Sequence, residues 1–379
     1  MLNHRLLARA LSNTSRLAAF CRSPPIPKVL SCPVNPKSLQ EAVPLASSRV
    51  FRKRKPRMPS RSVLLSFVLI LIACASIQAQ EQSPLPGRGL AQHPFLYCGE
   101  WQGRSLENQV MHLVRDGHVV WSYTNDRTGE IGDCTMLSNG NIVFSRQFGA
   151  SEITPDKKIV WDYDAPKGCE IHTAYPLGLD RVLIMQNGNP AKALIILKAT
   201  NKIEKELVLP TKDPMGTHGQ FRHIRMTKAG TFLVAHMDLG RVVEYAPDGK
   251  VLWMVDAPSA WAAVRLANGN TLISGNSVGY VREVNPQGHI VWELNKSDLP
   301  GIPMFTVQEV SRLANGNTLI NNWSAGLPPE QIQTAVQVIE VTPDKKVVWG
   351  LKDWKTLGPS SSTQLLDEPG APENGDLQR

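Results

Sequence analysis

The sequence predicts an all-β chain folded as a six-bladed β-propeller of four-stranded antiparallel blades, its ring closed by N- and C-terminal strands in one blade. Three observations predict it. A Trp-terminated phrase recurs along the chain, an Asn-Gly phrase alternates with it, and the repeats are spaced at blade length.

The first phrase is a Pro-Asp-Gly-Lys-like turn followed by β-branched residues and Trp. It stands at Asp116-Gly117-His118-Val119-Val120-Trp121, at Pro155-Asp156-Lys157-Lys158-Ile159-Val160-Trp161 and at Pro247-Asp248-Gly249-Lys250-Val251-Leu252-Trp253. It returns at Pro286-Gln287-Gly288-His289-Ile290-Val291-Trp292 and Pro343-Asp344-Lys345-Lys346-Val347-Val348-Trp349. Thr200-Asn201-Lys202-Ile203 is a degenerate copy without the Trp. The turn residues 116, 156, 200, 248, 287 and 344 lie 40, 44, 48, 39 and 57 positions apart. Each interval holds four short strands, so six copies mean six blades. The repeated Trp is assigned to packing.

The second phrase is Leu137-Ser138-Asn139-Gly140-Asn141, Leu266-Ala267-Asn268-Gly269-Asn270 and Leu313-Ala314-Asn315-Gly316-Asn317, each running into an apolar strand. Lys228-Ala229-Gly230-Thr231 is a looser copy. Asn-Gly between apolar runs signals a tight hairpin, in which both central residues take positive φ. A blade therefore reads as strand A, Asn-Gly turn, strand B, loop, strand C, Asp-Gly turn, strand D. The clearest copy is Trp261–Ala267, Thr271–Ser274, Tyr280–Val284 and His289–Glu293. The first Asp-Gly turn has one preceding strand of its own, near Gln109–Val114. Its two missing inner strands come from Phe95–Trp101 and Ser362–Asp367, which removes exposed sheet edges.

This grammar separates two faces. The A–B and C–D hairpins gather on one, and the longer D–A and B–C loops gather on the other, where binding groups concentrate. The loop face carries Arg146, Glu170, His172, Gln186, His218, Arg222, His223, His236, Trp261, Asn276, Gln308, Glu309, Asn322 and Trp323. His172, Phe221, Trp261 and Gln308 each lie five residues before a strand-A anchor (Leu177, Met226, Leu266, Leu313) and are expected in one ring at the channel mouth. Imidazoles beside a guanidinium suit an anionic ligand, a metal or acid–base work near neutral pH. His172, His223 and His236 are the catalytic candidates, and the remaining residues are ligand-binding candidates. No His/carboxylate pair has helical or zinc-finger spacing, so no metal is expected.

Residues 1–79 carry 13 Lys and Arg against one acid, Glu41, leaving 28 of the chain's 41 basic and 32 of its 33 acidic residues to 80–379. The basic balance belongs to the leader, so no nucleic-acid partner is expected. Arg52-Lys53-Arg54-Lys55, Arg57 and Arg61 precede the apolar run Val63–Ile72 and the small residues around Ala79, and Met58-Pro59-Ser60-Arg61 by itself begins an export signal over 58–79. Residues 1–57 are then a basic leader outside the native product, Met58 being the start, or a transit peptide. Cleavage after Ala79 yields a soluble exported chain. Leu71-Ile72-Ala73-Cys74 resembles a lipobox, and cleavage there puts a lipid on Cys74 and leaves a membrane-anchored surface scaffold. An 80–94 linker precedes the propeller at 95–367, and 368–379 is a tail. The three cysteines beyond Cys74, namely Cys98, Cys134 and Cys169, allow one disulfide and one thiol, or three small buried side chains. The expected product is a monomeric periplasmic or extracellular propeller that binds a small-molecule, glycan or peptide ligand, most simply an anion.

The Leu-Ala-Asn-Gly-Asn-Thr-Leu-Ile units (266–273, 313–320) and Val281-Arg282-Glu283-Val284-Asn285-Pro286-Gln287-Gly288-His289-Ile290-Val291-Trp292 resemble blades of the pyrroloquinoline-quinone-like propeller superfamily. They are most similar to arylsulfotransferase-type propellers of bacteria. That resemblance implies a channel-mouth His that accepts a sulfuryl group, with other His and Arg residues on the sulfate oxygens. His172, His223, His236 and Arg222 are placed for those parts. A quinone dehydrogenase fits worse, because such enzymes usually have eight blades and a vicinal Cys pair. No cofactor is therefore expected.

Overall fold

The computed structural model describes residues 84–99, 109–127 and 129–379. The basic leader, the export signal with both of its cleavage sites, and residues 80–83 of the linker lie outside the described residues. So do positions 100 and 101, which the sequence adds to the strand beginning at Phe95.

The described strands form six four-stranded antiparallel sheets. Blade one joins β1 (Phe95–Cys98), β2 (Val110–Arg115) and β3 (His118–Thr124) to the last strand of the chain. Blade two is β4 (Cys134–Met136), β5 (Ile142–Arg146), β6 (Gly149–Ile153) and β7 (Ile159–Asp164). Blade three is β8 (Glu170–Leu177), β9 (Arg181–Asn187), β10 (Ala191–Leu197) and β11 (Lys202–Leu209). Blade four is β12 (Phe221–Met226), β13 (Phe232–His236), β14 (Arg241–Tyr245) and β15 (Val251–Asp256). Blade five is β16 (Ala260–Arg265), β17 (Thr271–Gly275), β18 (Tyr280–Val284) and β19 (Ile290–Asn295). Blade six is β20 (Thr306–Arg312), β21 (Thr318–Trp323), β22 (Val338–Val341) and β23 (Val347–Leu351). β24 (Ser362–Leu365) is the inner strand of blade one and pairs with β1, Phe95 opposite Leu365. The ring closes as the strand count predicts.

Alternation along each strand sends successive side chains to opposite neighbours. On β16, Ala263 joins the apolar cluster shared with blade four, and Ala262 and Val264 join the one shared with blade six. Six such clusters exist among the described residues, one between every adjacent pair of blades, including blade six with blade one. An open stack of six sheets has only five interfaces. The sixth cluster is what makes the chain a circle.

The repeated Trp is a latch between blades. The indole N–H of Trp121, Trp253 and Trp292 donates to the carbonyl of the turn proline in the next blade: Pro155 (2.8 Å), Pro286 (2.9 Å) and Pro343 (2.7 Å). Where the turn has lost its Pro, Trp161 bonds the Asn201 side chain instead, at 2.6 Å. A charged pair runs beside the latch. Glu244 binds Arg265 of the following blade at 2.6 Å, and Glu283 binds Arg312 at 2.9 Å. Arg265 also lies over the Trp253 ring, 5.0 Å from its centroid. Trp253→Phe keeps an aromatic ring, though a smaller one, and loses the N–H; it should cost about 1–2 kcal/mol through the lost bond and weaker cation–π contact. Urea unfolding checks this value.

The Asn-Gly turns differ from the two-residue form that the sequence suggests. Leu266 N–H donates to Asn270 O and Gly269 N–H to Leu266 O, so the loop has three residues and only Gly269 has positive φ, at 86°. The Asn268 side chain accepts the Asn270 N–H and stabilises this type I turn ending in a left-handed Gly. Asp116-Gly117 is the two-residue turn, with both residues at positive φ.

The segment 368–379, a tail by sequence, packs across the hairpin face. Glu368 accepts the Ala314 N–H, the Glu373 side chain binds Ser138, and Gln378 binds the main chain of Arg312 and Ala267. Arg379 enters the channel and is buried.

Candidate functional site

The inner strands carry the channel, and the closure of each A–B hairpin sets their register. Across three-residue loops, Thr227, Leu266 and Leu313 donate their N–H to the carbonyls of Thr231, Asn270 and Asn317, and Leu177 pairs Arg181 across an equally short loop. Five residues before these anchors lie His172, Arg222, Trp261 and Gln308. The ring therefore holds Arg222 where the sequence places Phe221. Blade four's looser turn lacks the Leu that marks the anchor, and Met226 is one residue short of it. Phe221 packs instead in the apolar cluster between blades three and four. At this level all four inner strands bulge, between 171/173, 221/223, 260/263 and 307/310. Bulges re-aim side chains out of the regular alternation.

Three blades meet in one polar cluster at the loop-face mouth. Glu170 Oε2 lies 2.9 Å from His172 Nε2 and 2.8 Å from His218 Nδ1. The two imidazoles stand edge to face, 5.3 Å apart. His218 comes from a single 3-10 turn, Thr217–Gly219, and is about half exposed. An Arg222 guanidinium N–H donates to the His218 carbonyl, and the group sits over the Trp261 ring at 5.2 Å. Burial, with the Arg222 charge nearby, pushes His172 down to about 3, so its ring is neutral. Burial alone would raise Glu170, but the hydrogen bonds from His172 and His218 outweigh it and hold the carboxyl well below its usual range.

Other sequence candidates lie elsewhere. His223 is buried, and its Nδ1 accepts the Ala263 N–H at 3.4 Å, spacing blade four from blade five. His236 belongs to β13 rather than a loop. It is sealed between Phe221 and Tyr245, whose hydroxyl lies 2.9 Å from Nε2. Neither imidazole reaches the mouth, because each fills a gap between sheets. Arg146 turns back on its own blade to Ser151, Asp162 and Asp164. Gln186 accepts the Tyr163 hydroxyl at 3.4 Å, and the Asn276 amide meets Met237 Sδ at 3.7 Å. Asn322 holds the Phe305 N–H and the Pro303 and Val336 carbonyls. These short B–C segments use their polar side chains on nearby main-chain or side-chain partners. Gln308 is buried in the ring, and Trp323 is half-buried at the end of β21. Cys98 and Cys134 are buried free thiols; Cys169 is a half-buried one.

Glu309 faces deeper into the channel, in a cluster that the sequence reading missed. Arg225 donates to Asp133 Oδ2 (3.2 Å) and Glu309 Oε1 (3.4 Å), and Arg379 donates to Glu309 (3.1 Å) and Thr135 (2.9 Å). All four charged groups are buried. Burial raises the Asp133 carboxyl despite its arginine neighbours. Arg225 lies three residues beyond Arg222 on β12, and this is the one signal that could have placed it. A cavity of about 420 Å³ adjoins this cluster on the hairpin face, lined by Tyr175, Arg225, Lys228, Arg265, Asp376 and Arg379 among others. Its arginines are already paired with Glu244, Asp133 and Glu309. The chemistry and the volume thus sit at opposite ends of the channel.

No family model matches the chain, and no curated protein matches it. Among solved structures, a protein of unknown function from Bacteroides caccae is similar with TM-score 0.64 and 27% identity, over 72% of this chain and 98% of that one. The WD40 β-propeller domain of Doa1 gives TM-score 0.44 and 13% identity, over 56% of this chain and 68% of that one. Virginiamycin B lyase from Staphylococcus aureus gives 0.44 and 16%, over 68% of this chain and 74% of that one.

Proposed function

We propose that this chain is an exported ligand-binding propeller whose loop-face mouth takes a small anion against Arg222, His218 and the Trp261 ring. The observation that supports this reading is the convergence of Glu170, His172, His218, Arg222 and Trp261 from three blades. A guanidinium stacked on an aromatic face is held rigidly, so an anion meeting it costs little further ordering. His218, about half exposed, adds a donor from the rim.

Titration of the full chain with sulfate, phosphate and an aryl sulfate, followed by tryptophan fluorescence, tests it. Arg222→Met should weaken anion binding by roughly 10-fold or more, the value of a charge-assisted hydrogen bond. Equal affinity in the variant and the parent would place the ligand elsewhere. A second reading, transfer or hydrolysis of an anionic ester as in arylsulfotransferase-type propellers, is favoured by the His172–Glu170 pair. A neutral imidazole oriented by a carboxylate is the arrangement of a base or nucleophile. Turnover of the aryl sulfate in the same titration, lost in His172→Ala, would select that reading.

A further inference from the structure

We infer that Glu170, His172 and His218 form a binding site for one divalent transition-metal ion of the zinc type. This rests on the reading of the same mouth as a ligand site. The three side chains offer two imidazole nitrogens and one carboxylate oxygen, all within 4.8 Å of one another. Both nitrogens face a single oxygen, Glu170 Oε2, at 2.9 and 2.8 Å. Zinc bonds of about 2.0–2.1 Å in a tetrahedron separate neighbouring ligand atoms by about 3.4 Å, so shifts of about half an ångström or somewhat more convert these contacts into coordination. His218 is half exposed on a short turn and is free to make such a shift. His172 and Glu170 come from one bulged strand, which fixes them as the rigid half of the site. The other nitrogen of His172, Nδ1, has no hydrogen-bond partner among the described residues. The Glu170 carboxylate is what holds the proton on Nε2, so an ion that takes up that carboxylate removes this hold and the ring can carry its proton on Nδ1 instead. Two neutral nitrogens and one carboxylate leave the ion with a net positive charge, and Arg222 adds another. The remaining coordination position would be filled by water or by the anion that Arg222 also holds.

The sequence hides this site because His218 lies 48 residues from Glu170. Spacing rules detect ligands on one helix or hairpin, and these come from two blades.

The full chain, stripped with a chelator and dialysed, is titrated with zinc chloride against a chromogenic competitor, and with cobalt chloride read by visible absorption. One ion per chain should bind, with a cobalt spectrum of tetrahedral intensity. His218→Ala should weaken binding by more than the roughly 10–100-fold that a neighbouring outer residue costs. Because His218 is on the surface, this variant should fold; Glu170→Gln is the second probe, with circular dichroism confirming the fold of both. Zinc affinity equal to the parent in both variants, or no stoichiometric binding, would overturn the site. Sulfate titrated with and without zinc separates the two ideas. Sulfate binding in a chain that takes up no zinc keeps the anion reading and removes the metal. Zinc binding that depends on His218, with no sulfate binding in either state, keeps the metal and removes the anion reading.

Discussion

Arg225→Met should destabilise the propeller by about 3–5 kcal/mol, the cost of removing one partner from a buried ionic cluster. In the parent, two guanidinium groups face two carboxylates. Arg225 contacts Asp133 and Glu309, and Arg379 contacts Glu309 and, at 3.7 Å, Asp133. Methionine fills a similar volume and leaves two buried acids to share one cation. Asp133 is already disfavoured as a charge by burial, so it should take up a proton in the variant, which limits the loss but does not cancel it. Arg225 also donates through Nε to a main-chain oxygen of Arg379 at 2.9 Å and stacks on Tyr175 at 4.9 Å. Its removal therefore loosens the segment that crosses the hairpin face. Urea unfolding of the parent, Arg225→Met, Glu309→Gln and the double variant measures the coupling. The double variant should be more stable than the sum of the singles predicts, because the two lost charges are opposite. A single-variant loss below about 1 kcal/mol, the value for an exposed pair, would mean that water screens the cluster.

Much of this architecture was legible because each blade repeats the same local chemistry. The turn proline and the Trp belong to one latch. The Pro carbonyl of one blade accepts the Trp N–H of the blade before it, as Pro286 does for Trp253. Blade three, with neither residue, was still placed by spacing. The inner register was legible wherever a Leu marks hairpin closure and failed at Met226, where Thr227 takes that position. The convergence at the mouth was only half visible. Glu170, His172, His218 and Arg222 could be assigned to one face, but His236 could not be told from them. Whether strand B ends before or after a polar residue depends on its packing against Phe221 and Tyr245. Arg379 lay beyond any reading of pattern, since its hydrogen bond to Thr135 spans 244 positions and follows no repeat.

Stability should fall steeply as pH drops from about 6.5 toward 3. His236 is pushed down to about 3 by burial and the Arg241 charge, and His223 falls well below its usual range through burial, Arg225 and Arg379. In the unfolded chain both imidazoles take a proton near pH 6.5, but in the native chain they resist it. Between these values the unfolded state binds more protons, so unfolding becomes easier as acid is added. The contribution is complete above about pH 6.5 and disappears as pH falls through the folded values. Each imidazole adds a slope of up to about 1.4 kcal/mol per pH unit, so the two together add about 3, and His172, pushed down to about 3 by burial and the Arg222 charge, adds a third share of the same sign. His93 works the other way. Burial lowers it, but its bonds to Glu340 and Asp367 raise it overall, so its contribution is present in acid and fades as pH rises. The readable window is therefore about pH 6 to 5, above the range where carboxylates titrate. His236→Gln keeps an amide to face the Tyr245 hydroxyl and removes one titrating group, so it should cut the slope by about a third to a half. Unfolding free energies that stay level from pH 6 to 5 in the parent would show that both rings are reached by water. A slope unchanged in His236→Gln would exclude His236 as a source.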